Sequence, residues 1–254
     1  MPTHLRSVVL LNCLFFFSFF SFMPLEKKKI KVYLIGDSTM ANKQVKAYPE
    51  TGWGMPFTVF FDSTVVVDNR AQNGRSTRSF MAENRWQPVV DQLQEGDYVL
   101  VQFGHNDEVP TKTTYTKPEE FTANLVKYVS DTKSKKAIPV LITPVARRKF
   151  NAGGHITGTH DEYSALVRKV AQEQGVALID LDKISQELLQ KMGPENSKLL
   201  FNYVEPGEHP NYPQGRQDDT HFSEFGARRM AELVLAQIKA LHLELAERIV
   251  KPGM

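Results

Sequence analysis

Four short stretches of this sequence hold hydroxyl, amide, imidazole and carboxylate groups at spacings that could do chemistry. They are Gly36-Asp37-Ser38-Thr39, Asn73-Gly74-Arg75-Ser76, Gly104-His105-Asn106-Asp107 and Asp218-Asp219-Thr220-His221. Ester hydrolysis needs a nucleophile, a base to take its proton, a group that orients the base, and donors for the oxyanion. Ser38, His221 and Asp218 can supply the first three. Asp218 lies three residues before His221, so a helical turn would point both side chains the same way, whereas Asp219 would diverge. The backbone N–H groups of Ser38 and Gly74 and the amide of Asn106 are the candidate oxyanion donors. Gly74, with no side chain, lets its backbone approach a substrate closely.

Each stretch taken alone has a plainer reading. Gly-Asp-Ser is a common turn or helix cap, Asp-x-x-His a surface turn, and Asn-Gly a turn dipeptide. His105 reads as a structural hydrogen bonder, because no second ligand sits at metal-binding spacing nearby. What matters is whether the chain brings the four stretches to one place.

Short apolar runs at 30–35, 64–67, 98–103, 138–143 and 176–181 are bounded by Gly, Pro, Asp or Asn and read as five fully buried strands. Amphipathic patterns between them predict helices. One spans 77–93, with Pro88 bending or breaking it; another spans 119–133, with Pro118 opening it. Two more, 161–174 and 183–192, are closed by Gly175 and Gly193, and the last, 223–241, has Ser223 as N-cap. This alternation predicts βαβ units: an α/β, three-layer αβα sandwich with a flavodoxin-like parallel sheet of five strands in the order 2-1-3-4-5. Ligands of such sheets bind beyond the strands' carboxyl ends, and the polar stretches come just after the strands or just before the final helix.

The chain has 254 residues, 41% hydrophobic and 24% charged, with a net charge of +2. Signs are mixed along it, which excludes the basic stripe of a nucleic-acid-binding domain. Residues 1–23 combine a short basic start with a Phe-rich apolar run and read as a signal peptide, with export to the periplasm or medium. A short uncleaved anchor is the competing reading; after signal removal no stable membrane span is expected. Residues 30–250 read as a single domain. The one cysteine, Cys13, lies in the apolar run, so a mature chain would have no disulfide. Neither H-E-x-x-H nor a phosphate-binding glycine loop is present, and no metal or cofactor is expected.

The stretches "GDSTMA", "NGRSTRSF", "VQFGHND", "ITPVARRKF" and "DDTHFSEFGA", with "FNYVEPGEHPNYPQG" ahead of the last, resemble the SGNH (GDSL) hydrolase superfamily. The superfamily is named for four residues that fall here on Ser38, Gly74, Asn106 and His221. The resemblance spans nearly all of the mature chain and is strongest toward the rhamnogalacturonan acetylesterases. It implies a serine esterase working through an acyl-enzyme intermediate on an acetylated pectic polysaccharide. By position the nucleophile falls on Ser38, the acid on Asp218, the base on His221, and the oxyanion donors on Ser38, Gly74 and Asn106.

Galacturonan chains are anionic, so Arg75, Arg78, Arg147 and Arg148 are candidate substrate contacts. Tyr203, Tyr212 and Trp53 could stack on sugar rings, although Trp53 reads equally as core. The loop 194–217 is expected to form one wall of the cleft. Alternatives are an acetyl xylan esterase, a lipase- or thioesterase-like hydrolase of the same superfamily, and a catalytically inactive carbohydrate-binding protein. Oligomeric state is left open.

Overall fold

The computed structural model describes residues 28–250; the expected signal segment lies outside the described residues. Five parallel strands form a sheet in the order β2-β1-β3-β4-β5. They are β1 (Ile30–Gly36), β2 (Val65–Asn69), β3 (Tyr98–Gln102), β4 (Ile138–Ile142) and β5 (Ala177–Ile179). β1 lies between β2 and β3, with Leu34 opposite Asn69 on one side and Leu100 on the other.

Alternation along the strands builds a core on each face. Val32, Leu34, Leu100, Val140 and Ile142 pack with α1 (Gly54–Phe57), α6 (Leu181–Asn196) and α7 (Glu224–Ala240). Tyr33, Ile35, Val99, Val101 and Leu141 point the other way, onto α2 (Thr77–Ala82), α3 (Gln87–Gln92), α4 (Pro118–Ser134) and α5 (Asp161–Gln174). The result is the expected three-layer sandwich. Among the described residues no helix is long and apolar enough to cross a membrane.

Four local expectations change. β2 and β5 are edge strands, not fully buried ones: Val66 is 49% exposed, and Ala177 and Leu178 are half-buried. The helix expected over 77–93 is two helices, α2 and α3. The chain breaks at Asn84, whose φ of 54° is left-handed, while Pro88 sits harmlessly in the first turn of α3. The segment 194–217 is not one loop: it holds the end of α6, a 3₁₀ turn (Ser197–Leu200) and β6 (Phe201–Val204).

The fourth change concerns Asp218 and His221, which lie on β7 (Arg216–Phe222), antiparallel to β6, and not on a helical turn. Adjacent β6 residues Phe201 and Asn202 pair with Phe222 and Asp218, so residues 219–221 bulge out of the ladder. That bulge, with the Asp218 side chain accepting the backbone N–H groups of Thr220 (2.9 Å) and His221 (3.0 Å), turns the two side chains toward each other.

The junction between β7 and α7 holds the bulged strand in place. The Ser223 hydroxyl caps α7 by accepting the Gly226 N–H at 3.1 Å, and the Ser223 N–H donates to the Leu200 carbonyl. A Cβ at Gly226 would lie 1.7 Å from that same carbonyl oxygen, so only glycine lets α7 sit this close. Gly226→Ala is therefore expected to destabilise the protein by about 1–3 kcal/mol. It should also lower activity in the surviving folded fraction, because the shift is transmitted to His221. Urea unfolding and activity per folded molecule check this.

Candidate active site

Ser38 stands two residues past the end of β1, in a turn built by its neighbours. Asp37 is fully buried, and its Oδ1 accepts the Thr39 N–H (3.0 Å) and hydroxyl (2.8 Å) while its carbonyl accepts the N–H groups of Met40 and Ala41. Burial pushes the Asp37 carboxyl above its ordinary range, against the opposing Thr39 hydrogen bonds. Gln102, at the end of β3, donates to the Thr39 hydroxyl (2.7 Å) and accepts the Trp53 indole N–H (2.6 Å). Trp53 itself is fully buried, so it is core and not a sugar platform. The turn is thus wired into the β1–β3 seam, where the strand order reverses.

β7 reaches this turn through one intervening segment. Thr51 N–H donates to Phe222 O, and Trp53 and Gly54 N–H donate to Thr39 O and Met40 O. Consequently His221 Nε2 lies 3.0 Å from Ser38 Oγ, although the residues are 183 positions apart. His221 Nδ1 lies 2.9 Å from Asp218 Oδ2, which also accepts from Arg216 at 2.6 Å. Partial burial alone would raise the Asp218 pKa. The hydrogen bond and charge of His221, with the Arg216 guanidinium, outweigh it and hold the carboxyl well below the usual range. At neutral pH Asp218 is therefore ionised, the state required of a group that would orient an imidazolium. Asp219 faces away and is held by Arg148 (2.5 Å) and the Tyr203 hydroxyl (2.7 Å).

Ser38, Gly74, Asn106 and His221 line one cleft of ≈ 510 Å³. Gly74 has φ +76°, a left-handed conformation that favours glycine, and a Cβ there would meet no atom within 4 Å. The glycine is thus set by backbone conformation, not by crowding. Asn106 Nδ2 donates to Arg75 O at 3.0 Å, and its Oδ1 accepts from Lys112 Nζ at 2.7 Å. Lys43, nearly fully buried, ties the two loops together. Its ammonium contacts Ser38 O (2.6 Å), Asn73 Oδ1 (2.9 Å) and Glu50 (2.6 Å).

Of the six expected substrate contacts, only Arg147 lines this cleft. It is shared with Glu108 (2.6 Å), whose other oxygen meets His160 Nδ1 (2.8 Å). Burial opposes ionisation of Glu108, but the His160 hydrogen bond and the Arg147 charge hold its carboxyl below the ordinary range. Arg75 pairs with Glu83, Arg78 donates to Thr113 O, and Arg148 is spent on Asp219, Tyr203, Ser197 and Pro194 O. Tyr203 packs under the Arg148 guanidinium, and Tyr212 donates to Ala47 O. No residue of 194–217 is among those lining this cleft; the segment packs behind it, Asn211 and Tyr212 on residues 45–48 and Arg216 on Asp218.

His105 differs from expectation as well. It is buried against His160, ring centroids 4.3 Å apart, and neither ring nitrogen makes a hydrogen bond of normal geometry. Burial holds its pKa well below the ordinary histidine value, so it is a neutral packing element of the floor. Sequence reasoning missed Glu50, Lys43 and Lys112. Lys112 comes from a threonine-rich stretch, Thr111–Tyr115, in which nothing marks one cation as the inward one. A larger groove of ≈ 780 Å³ around Arg168, Asp180 and Asp182 shares no residue with the cleft and contains no serine–histidine pair.

A sheet of this order with a serine–histidine–aspartate chain beyond β1 is the arrangement of a family that can be named. Residues 34–229 match the GDSL-like Lipase/Acylhydrolase family, and the chain belongs to it. It is 42% identical over 225 residues to the rhamnogalacturonan acetylesterase RhgT of Bacillus subtilis, covering 88% of this chain and 96% of that one. A rhamnogalacturonan acetylesterase of Emericella nidulans is 28% identical over 228 residues, covering 82% and 84%. Among solved structures, the Bacillus subtilis protein YxiM superposes with a TM-score of 0.74 at 26% identity, over 85% of this chain and 58% of that one.

The two neighbouring acids should respond differently to mutation. Asp218→Asn should lower kcat by on the order of 10³–10⁴-fold, because the amide no longer selects the productive histidine tautomer. Asp219→Asn should keep most activity, and steady-state kinetics on an aryl acetate compares the two. Elsewhere, burial pushes Asp107 up to about 7 despite hydrogen bonds from Thr77. Its folded pKa exceeds its unfolded one, so its contribution to stability is full at acid pH and declines as pH rises from about 4 through 7. Relative to the parent, Asp107→Asn should gain in Tm across that window, measurable by thermal unfolding at a series of pH values.

Proposed function

We propose that the protein is a serine esterase that removes O-acetyl groups from an acetylated pectic polysaccharide of the rhamnogalacturonan type. The observation that carries this reading is the chain Ser38 Oγ–His221 Nε2 (3.0 Å) and His221 Nδ1–Asp218 (2.9 Å), opening into a cleft that Gly74 and Asn106 also line. Ser38 Oγ attacks the acetyl carbonyl as its proton passes to His221 Nε2. The N–H groups of Ser38 and Gly74 and the amide of Asn106 receive the oxyanion. His221 then gives that proton to the departing sugar oxygen, leaving acetyl-Ser38. A water deprotonated by His221 releases acetate and restores the hydroxyl.

The cleft lining supports a small acyl group on a hydrophilic carrier. It is formed by Ser, Thr, Asn, Glu, His, Lys, Arg and Gly, with no apolar side chain to shelter a long acyl tail. Its cation not ion-paired to a carboxylate among the described residues, Lys112, favours an anionic carrier. That preference separates pectin from neutral xylan, the substrate named for a Geobacillus stearothermophilus acetylxylan esterase that is 26% identical over 60% of this chain. The basic and Phe-rich start of the sequence supports export toward such a substrate.

The test is acetate release from acetylated pectic and xylan fragments, with acetyl and octanoyl aryl esters alongside. Pectic fragments and the acetyl ester should be preferred, and Ser38→Ala should abolish turnover of all of them with the fold intact. Rising salt should slow deacetylation of the polymer and leave the small neutral acetate unaffected, because screening acts on the charged partner alone. Parent-like turnover by Ser38→Ala would contradict the mechanism, and preference for octanoyl would contradict the substrate.

A further inference from the structure

An asparagine amide is nearly symmetric in shape. Rotated by half a turn, it presents its oxygen where its nitrogen stood. For an oxyanion donor the two orientations are opposite in effect: one offers an N–H to the developing charge, the other a repelling carbonyl. Two contacts choose between them at Asn106. Its Nδ2 donates to Arg75 O at 3.0 Å, and its Oδ1 accepts from the Lys112 ammonium at 2.7 Å. In the flipped amide, oxygen would face the Arg75 carbonyl and NH₂ would face the ammonium, and both contacts would be repulsive.

We infer that Lys112 is a positioning residue for the Asn106 oxyanion donor: its ammonium holds the amide with an N–H toward the Ser38 cleft. By drawing charge onto Oδ1, it also strengthens that N–H as a donor, since hydrogen bonds in series polarise one another. The inference rests on the reading of Asn106 as an oxyanion donor.

The backbone around Lys112 is built to aim it. Lys112 N–H donates to Val109 O, Tyr115 N–H to Lys112 O, and Thr116 N–H to Asp107 O. Arg78 Nη2 holds the same loop through Thr113 O at 2.7 Å. Lys112 itself is exposed and, among the described residues, is ion-paired to no carboxylate, so its charge is not spent elsewhere. The other cleft cations differ: Arg147 is paired with Glu108, and Lys43, beneath the cleft, with Glu50.

A double-mutant cycle on a neutral aryl acetate tests this, because a neutral substrate has no carboxylate for Lys112 to bind. Lys112→Met should lower kcat roughly tenfold, a fraction of what loss of a whole oxyanion donor costs, with KM and Tm unchanged. Lys112→Arg should recover most of the loss. In an Asn106→Ala background, Lys112→Met should have no further effect, since its action passes through that amide. Parent kcat in Lys112→Met overturns the inference, as does a tenfold loss that persists without Asn106. A loss confined to anionic substrates also overturns it and leaves Lys112 as a charge contact for the carrier. If Asn106→Ala alone costs nothing, the oxyanion reading fails and the inference with it; the single variant distinguishes this from failure at Lys112.

Discussion

The 3.0 Å contact between Ser38 Oγ and His221 Nε2 is the constraint on which the site depends, and nothing local produces it. One end is fixed by β1, buried between β2 and β3, and the other by a bulged strand outside the parallel sheet. Their separation is set by packing: α7 against Leu200, Thr51 against Phe222, and Trp53 against the Ser38 turn. A hydroxyl–imidazole contact tolerates errors of only a few tenths of an ångström. The close-packed elements around it therefore act as a gauge as well as a scaffold.

Polar groups buried beneath the site extend the same logic. Asp37, Thr39, Gln102 and Trp53 form one hydrogen-bonded series from the Ser38 turn through β3 to α1. Such a network is costly when incomplete and rigid when satisfied. Its place under Ser38 suits a mechanism in which the donors must be arranged before charge develops. Lys43 adds a second tie, joining the Ser38 carbonyl to the loop that carries Gly74.

Much of this was legible in the sequence, for identifiable reasons. Strand order and the two-faced core come from apolar runs whose alternation survives in the structure, as at Val32 and Leu34 against Tyr33 and Ile35. Ser38, Asp218 and His221 could be paired in advance because chemistry restricts the residue types. The backbone between Asp218 and His221 could not. A spacing of three suits a helical turn, and only pairing with β6 makes it a bulge. The arginines failed for a different reason. Composition shows a cation but not its partner, and Glu83 and Asp219 had already claimed Arg75 and Arg148. Lys112 was invisible because its role comes from a loop folded by turns between β3 and α4.

In the proposed mechanism Ser38 is the residue on which the acyl group is carried. Titration with a fluorophosphonate, followed by peptide mapping, tests it most directly. Activity on an acetyl ester should fall in proportion to label found on the peptide containing Ser38, reaching zero at one adduct per chain. Full activity retained with Ser38 completely labelled, or inactivation with the label on another residue, would contradict it.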